Sequence, residues 1–186
     1  MVEWASGGDT PSRTVEGGLP GSRARPRTVA ANAWTLTRLR HGGHMSRTPE
    51  LELVMTLHVE LAPPLVIGDI GAGIRRVIPI TGGTVEGTAI RGQVLPGGAD
   101  WNLARHDGTS ELWARYTLRT DDDVLIGVLN TGVAVPAAGG SVNVRTVPRF
   151  EVADARYAWL RQNVFVGALV PVETGNAVRL QFFRVT

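Results

Sequence analysis

A chain of 186 residues leaves room for one domain with a sizeable core, and the absence of cysteine excludes disulfides, thiolate metal sites and cysteine nucleophiles. All 19 basic residues are arginine, so Schiff-base chemistry and the lysine of a phosphate-binding loop are also excluded. Charge is uneven along the chain: residues 1–44 carry six Arg against Glu3, Asp9 and Glu16, while the remainder has thirteen Arg against fourteen acids. The presumptive folded part is near neutral, so no nucleic-acid face is indicated.

Residues 1–44 are rich in Gly, Pro, Ser, Thr and Arg without sustained periodicity, and they read as a disordered extension running to about residue 46. A short Arg-flanked helix over Val29–Leu39, with a transit-like or membrane-touching role, is the less favoured alternative. His41 and His44 could in principle hold a metal but make a weak ligand set, and Met45 stands just before the first regular strand. The barrel-forming domain is placed at 47–186.

From Glu50 the texture changes. Leu51, Leu53, Met55, Leu57, Val59 and Leu61 alternate with polar residues, the period-two pattern of a strand with one apolar face. Pro63-Pro64 ends it, Leu65–Asp69 is a short extended piece, and Gly71-Ala-Gly73 links to a strand over Ile74–Thr81. Gly82-Gly83 reads as a turn. A single long strand then curls through Gly87 and Gly92 and stops at Pro96-Gly97-Gly98. His106-Asp107-Gly108-Thr109 is a hairpin turn, since Asp-Gly supplies the positive φ required.

Over Glu111–Thr120, Leu112, Ala114, Tyr116 and Leu118 face opposite to Glu111, Trp113, Arg115, Thr117 and Arg119. Asp121–Asp123 is a second turn and lacks the alternating ligands of a calcium loop. Val124–Leu129, Val142–Phe150, Val164–Val172 and Ala177–Val185 are further strands, the last two turning at Thr174-Gly175-Asn176. Glu151–Arg161 has turn and short-helix character. About eight to ten strands at this spacing predict an all-β antiparallel barrel or sandwich.

No apolar run reaches the roughly 20 residues of a spanning helix, and an outer-membrane barrel would need aromatic girdles and an export signal. A cytoplasmic protein that does not engage membranes is expected. Gly71-Ala-Gly73 lacks the third glycine and the βαβ context of a dinucleotide site, and no zinc-protease or serine-elbow motif occurs. Neither cofactor nor metal is expected.

The candidate site centres on Asp100 and Arg115. A carboxylate beside Trp101 can be desolvated, which raises its pKa and suits acid–base work. A mid-strand Arg can grip a carboxylate or enolate with two donors. Tyr116, His58, Trp101, Trp113 and Arg91 complete the candidate ligand-binding set.

Three groups of motifs resemble the domain-of-unknown-function 3237 family, also known as UPF0311. They are Gly82-Gly83-Thr-Val-Glu-Gly87, Pro96-Gly-Gly-Ala-Asp-Trp101 and Ala114-Arg-Tyr-Thr-Leu-Arg-Thr-Asp-Asp122. Val147-Pro-Arg-Phe-Glu151, Arg156-Tyr-Ala-Trp-Leu160 and Val164-Phe-Val-Gly167 extend the match across Leu51–Thr186. The resemblance implies a small closed barrel, lipocalin-like or allene-oxide-cyclase-like, without an assigned activity. It also marks departures: Trp113 where the family tends to have an acid, Asp123 for a turn glycine, and Asn143-Val144 for an aromatic pair. At a barrel-mouth site, Trp113 would remove a carboxylate and fill volume.

Three functions follow as expectations. The first is a barrel binding a small, largely apolar carbonyl- or carboxylate-bearing molecule. The second is a cofactor-independent isomerase, cyclase or lyase using Asp100 and Arg115. The third is a solid, self-assembling barrel; a homodimer is a further expectation.

Overall fold

A computed structural model describes residues 48–172 and 176–186. The readings made for the N-terminal extension, for His41 and His44, and for Thr174-Gly175 fall outside those residues. Ten strands follow in chain order: β1 (Leu51–Leu61), β2 (Leu65–Asp69), β3 (Ile74–Glu86), β4 (Gly92–Val94) and β5 (Gly98–Ala104), then β6 (Ser110–Thr120), β7 (Leu125–Pro136), β8 (Val142–Glu151), β9 (Phe165–Pro171) and β10 (Ala177–Val185). One helical turn, α1 (Trp159–Gln162), lies between β8 and β9.

Every pairing is antiparallel, and the ring runs β1, β10, β9, β8, β7, β6, β4/β5, β3 and back to β1. β4 and β5 share one position, lying along different parts of β3 and β6. β2 lies along the first part of β3. The result is a closed eight-position barrel, in which β1 is satisfied on both sides.

Two readings of the glycines are corrected. Gly82-Gly83 is not a turn but lies inside the thirteen-residue β3. The register of β1 against β3 shifts between Glu60 and Leu61, so Ile80 and Val85, of opposite parity, are both buried in the core. Gly83 has φ 138°, and a Cβ there would run into the His58 carbonyl oxygen of β1. The backbones approach too closely for any side chain. Nor is there one long curling strand. β3 stops at Glu86, and the chain turns before resuming as β4, then bends at Pro96-Gly97 into β5.

A bulge also modifies β1. Register against β10 slips between Leu53 and Met55, leaving Leu51 and Leu53 exposed while Val54, Met55, Leu57 and Val59 are buried. The simple alternation read from the sequence holds only beyond that slip.

Inward side chains divide along the barrel axis. One half is packed solid by Met55, Leu57, Leu118, Ile126, Phe165 and Phe182, with Leu160 of α1 buried against the same cluster. Phe150 meets Phe165 and Phe182 edge-on, at centroid distances of 5.1 and 5.9 Å. Towards the other ends of the same strands the inward residues are smaller or polar, and a lumen remains.

Asp121–Asp123 serves the closed half. Asp122 accepts from the Tyr157 hydroxyl at 2.8 Å and pairs with Arg156, tying the β6–β7 turn to the segment before α1. Among the described residues no cluster of acids and histidines could hold a metal ion, and no helix is long and apolar enough to cross a membrane.

Candidate functional site

The unfilled half of the barrel holds a partly open cavity of about 230 Å³. Its two sides differ in chemistry. Val59, Leu61, Leu169, Val178 and Leu180, from β1, β9 and β10, make an aliphatic wall, continued by Ile78 and Ile80 of β3. Arg76, Asp100, Asn102, Tyr116 and Asn130, from β3, β5, β6 and β7, make a polar one.

The polar wall is built by a local opening of the sheet. β5 and β6 pair at Ala99–Arg115 and Asp100–Ala114, then resume at Leu103–Glu111, skipping Trp101 and Asn102. Side chains fill the gap. Asp100 Oδ1 accepts the Trp113 N–H at 2.8 Å, and Asn102 Nδ2 donates to the Glu111 carbonyl at 3.2 Å. Two inward-pointing side chains thus satisfy main-chain groups that a regular ladder would have used.

Asn102 is fixed further by Arg76, whose guanidinium donates to Oδ1 through Nε at 3.2 Å and through a second nitrogen. That leaves Asn102 Nδ2 facing Asp100 Oδ2 at 3.5 Å, a long and weak contact. Burial raises the Asp100 pKa above the usual carboxylate value. The Trp113 N–H, Asn102 and the Arg76 and Arg75 charges pull the other way without cancelling that desolvation.

Of the lining residues, Tyr116 and Asn130 carry a hydroxyl and an Oδ1 that are buried with no hydrogen-bond partner among the described residues. Thr146 Oγ1 on β8 shares that condition. Desolvation alone drives the Tyr116 pKa well above its ordinary value, so the phenol stays protonated and is a donor.

Of the seven residues singled out from the sequence, the lumen receives Asp100 and Tyr116. Arg115 does not join them. It sits one residue from both Ala114 and Tyr116, so the period of two turns it outward, where it pairs with Glu151 at 3.3 Å with both side chains mostly exposed. The proposed Asp100–Arg115 pair is therefore not assembled.

Trp101 and Trp113 also point outward and meet edge-on at 5.5 Å. The Trp113 ring consequently does not fill the lumen, contrary to expectation. These two rings flank a shallow outer groove with Arg75, Arg105 and Glu111. His58 lies on another outer face, in register between Arg179 and Thr84, and Arg91 borders the same depression with Glu86.

Sequence reading missed Arg76, Asn102 and Asn130. Arg76 shares parity with Ile78 and Ile80, and Asn102 with Asp100, so alternation carried that signal. Asn130 carried none, because a lone Asn in an apolar run resembles a strand-edge residue.

The class that the fold defines is a closed antiparallel β-barrel, packed at one half and with a two-sided cavity at the other. Residues 49–185 match the family described as "Protein of unknown function (DUF3237)", and the chain belongs to that family. A UPF0311 protein of Rhodopseudomonas palustris is 38% identical, over 67% of this chain and 90% of the relative. A beta-barrel like protein from Acinetobacter baumannii superposes with TM-score 0.73 at 31% identity, over 77% of this chain and 100% of that one. An enzyme from Penicillium herquei shares the fold, with TM-score 0.62 at 23% identity over 77% and 99% of the two chains.

Proposed function

We propose that the protein binds one small, largely apolar molecule in the lumen, with a carbonyl or carboxyl end turned to the Asp100–Tyr116–Asn130 wall. The observation that carries this reading is the pairing of an aliphatic wall with buried polar atoms that no protein group satisfies. An unmet buried donor or acceptor costs about 1–3 kcal/mol, so a guest whose oxygen accepts from the Tyr116 hydroxyl, or whose hydroxyl donates to Asn130 Oδ1, recovers a penalty the fold carries.

Size limits the guest. An apolar cavity of about 150 Å³ holds benzene, so one half as large again takes about ten non-hydrogen atoms. A nucleotide or an extended lipid chain would have to extend beyond the lumen. Hydroxyl- or carbonyl-bearing bicyclic compounds of that size fit best.

Thermal shift with β-naphthol, β-tetralone and oxygen-free tetralin tests the reading. The two oxygenated compounds are expected to raise Tm and tetralin to do so less, since stabilisation at 100 times Kd is about 2.7 kcal/mol. Ala114→Trp, which fills the lumen, is expected to abolish the shift. Equal shifts in that variant and wild type would place the compounds on the outer surface and end the proposal.

A further inference from the structure

We propose that the lumen is also a proton-transfer site for an enolisable ketone, with Asp100 Oδ2 as the base and the Tyr116 hydroxyl as donor to the developing oxyanion. This rests on the binding reading above and goes past it by assigning chemistry to two of the lining groups.

The two carboxylate oxygens of Asp100 are not equivalent. Oδ1 is committed to the Trp113 N–H at 2.8 Å, which fixes the plane of the carboxylate. Oδ2 has only the Asn102 amide at 3.5 Å, so its lone pairs remain available on the cavity side. Arg76 donates to Asn102 Oδ1 rather than to Asp100, and its charge offsets the desolvation of the carboxylate only in part. A base thus stands in a largely apolar chamber, positioned by one strong bond and only weakly engaged at the other oxygen.

Tyr116 provides the complementary group. Asp100 faces Ala114 across the β5–β6 ladder, and Tyr116 is two residues further along the same inward face. Two residues along a strand span about 7 Å. Both residues line the same cavity, and enolisation needs a base at the α-carbon and a donor at the carbonyl oxygen two bonds away. The Tyr116 hydroxyl has no protein partner to surrender before it serves an incoming oxygen. Preformed donors in water-poor surroundings act most strongly where charge develops.

The step balances without a co-reactant. The α C–H bond breaks and its proton joins Oδ2. The C–H electron pair becomes a C=C bond, and the carbonyl π pair moves onto oxygen, which accepts the Tyr116 hydrogen bond. Return of the proton to the same carbon gives exchange. Return to the γ-carbon, when the ketone is β,γ-unsaturated, shifts the double bond into conjugation. The oxyanion role assigned to Arg115 from sequence thereby passes to Tyr116.

The test follows loss of the α-protons of β-tetralone by NMR in deuterium oxide, beside thermal shifts with β-tetralone and β-naphthol, whose hydroxyl stands in for the enol. Wild-type protein is expected to accelerate exchange. Asp100→Asn, which keeps the acceptor for Trp113, is expected to lower that rate at least about 100-fold while still binding β-naphthol. Tyr116→Phe is expected to lower it about 10- to 100-fold and to weaken β-naphthol. Binding of both compounds with exchange no faster than in buffer overturns the proton-transfer assignment and leaves the binding reading standing. So does an Asp100→Asn variant that exchanges at the wild-type rate. Failure of both compounds to bind removes the binding reading, and this inference with it.

Discussion

The main-chain N–H of Trp113 donates to Asp100 Oδ1 at 2.8 Å, while the Trp113 ring lies on the opposite face of the same wall. One residue therefore positions the carboxylate inside the barrel and joins Trp101 outside it. The bond has a structural duty as well, since it replaces a ladder bond where β5 and β6 separate. Asp100→Ala strands a buried donor and is expected to lose about 1–3 kcal/mol in urea unfolding. Asp100→Asn keeps an acceptor and is expected to lose under about 1 kcal/mol. Equal losses would mean that the Trp113 bond does not hold the gap.

The same carboxylate sets a pH signature. Burial raises the folded pKa above the unfolded value, so between those two values the native state binds more protons than the unfolded chain. The Asp100 contribution is therefore most favourable below the unfolded pKa and declines as pH rises through the folded one. Arg76, Arg75, Asn102 and the Trp113 N–H reduce the shift without reversing it. Asp107, Asp122 and Asp154 are shifted downward and act in the opposite direction, so the bare stability curve mixes both. Subtracting the Asp100→Asn curve isolates the term: the difference is expected to fall with rising pH just above the ordinary carboxylate range. A difference that rises there contradicts a desolvated Asp100.

Alternation disclosed most of this barrel, and its failures sit at identifiable irregularities. β6 was readable throughout because Leu112, Ala114, Tyr116 and Leu118 keep strict parity with no bulge. That parity already placed Arg115 outside, and only its chemistry suggested otherwise. β1 failed at Leu51 and Leu53 because a slipped residue before Met55 reverses the faces. Gly82-Gly83 failed because a bulge and a turn draw on the same residue type, and a partner strand decides between them. Asp100 was legible as a desolvated carboxylate beside a tryptophan. Its link to Trp113 depends on which strands meet, which no local pattern encodes.

Arg115 offers a control on that correction. Its ion pair with Glu151 joins two mostly exposed side chains, a kind of contact worth about 0–1 kcal/mol. Arg115→Ala is expected to change stability by less than about 0.5 kcal/mol and to leave both β-naphthol binding and α-proton exchange unaltered. A collapse in either lumen property would return Arg115 to the site.

Tyr116→Phe separates stability from function in the reverse sense. The phenol oxygen is buried and unpartnered, so its removal relieves a desolvated group and leaves the ring packing in place. Unfolding free energy is expected to stay level or rise by up to about 1 kcal/mol while β-naphthol affinity falls. Most buried tyrosines lose stability on this change because they lose a hydrogen bond. A loss of 1 kcal/mol or more, on that same scale, would show the hydroxyl to be satisfied within the fold. The lumen would then be without the donor on which both the binding and the proton-transfer readings depend.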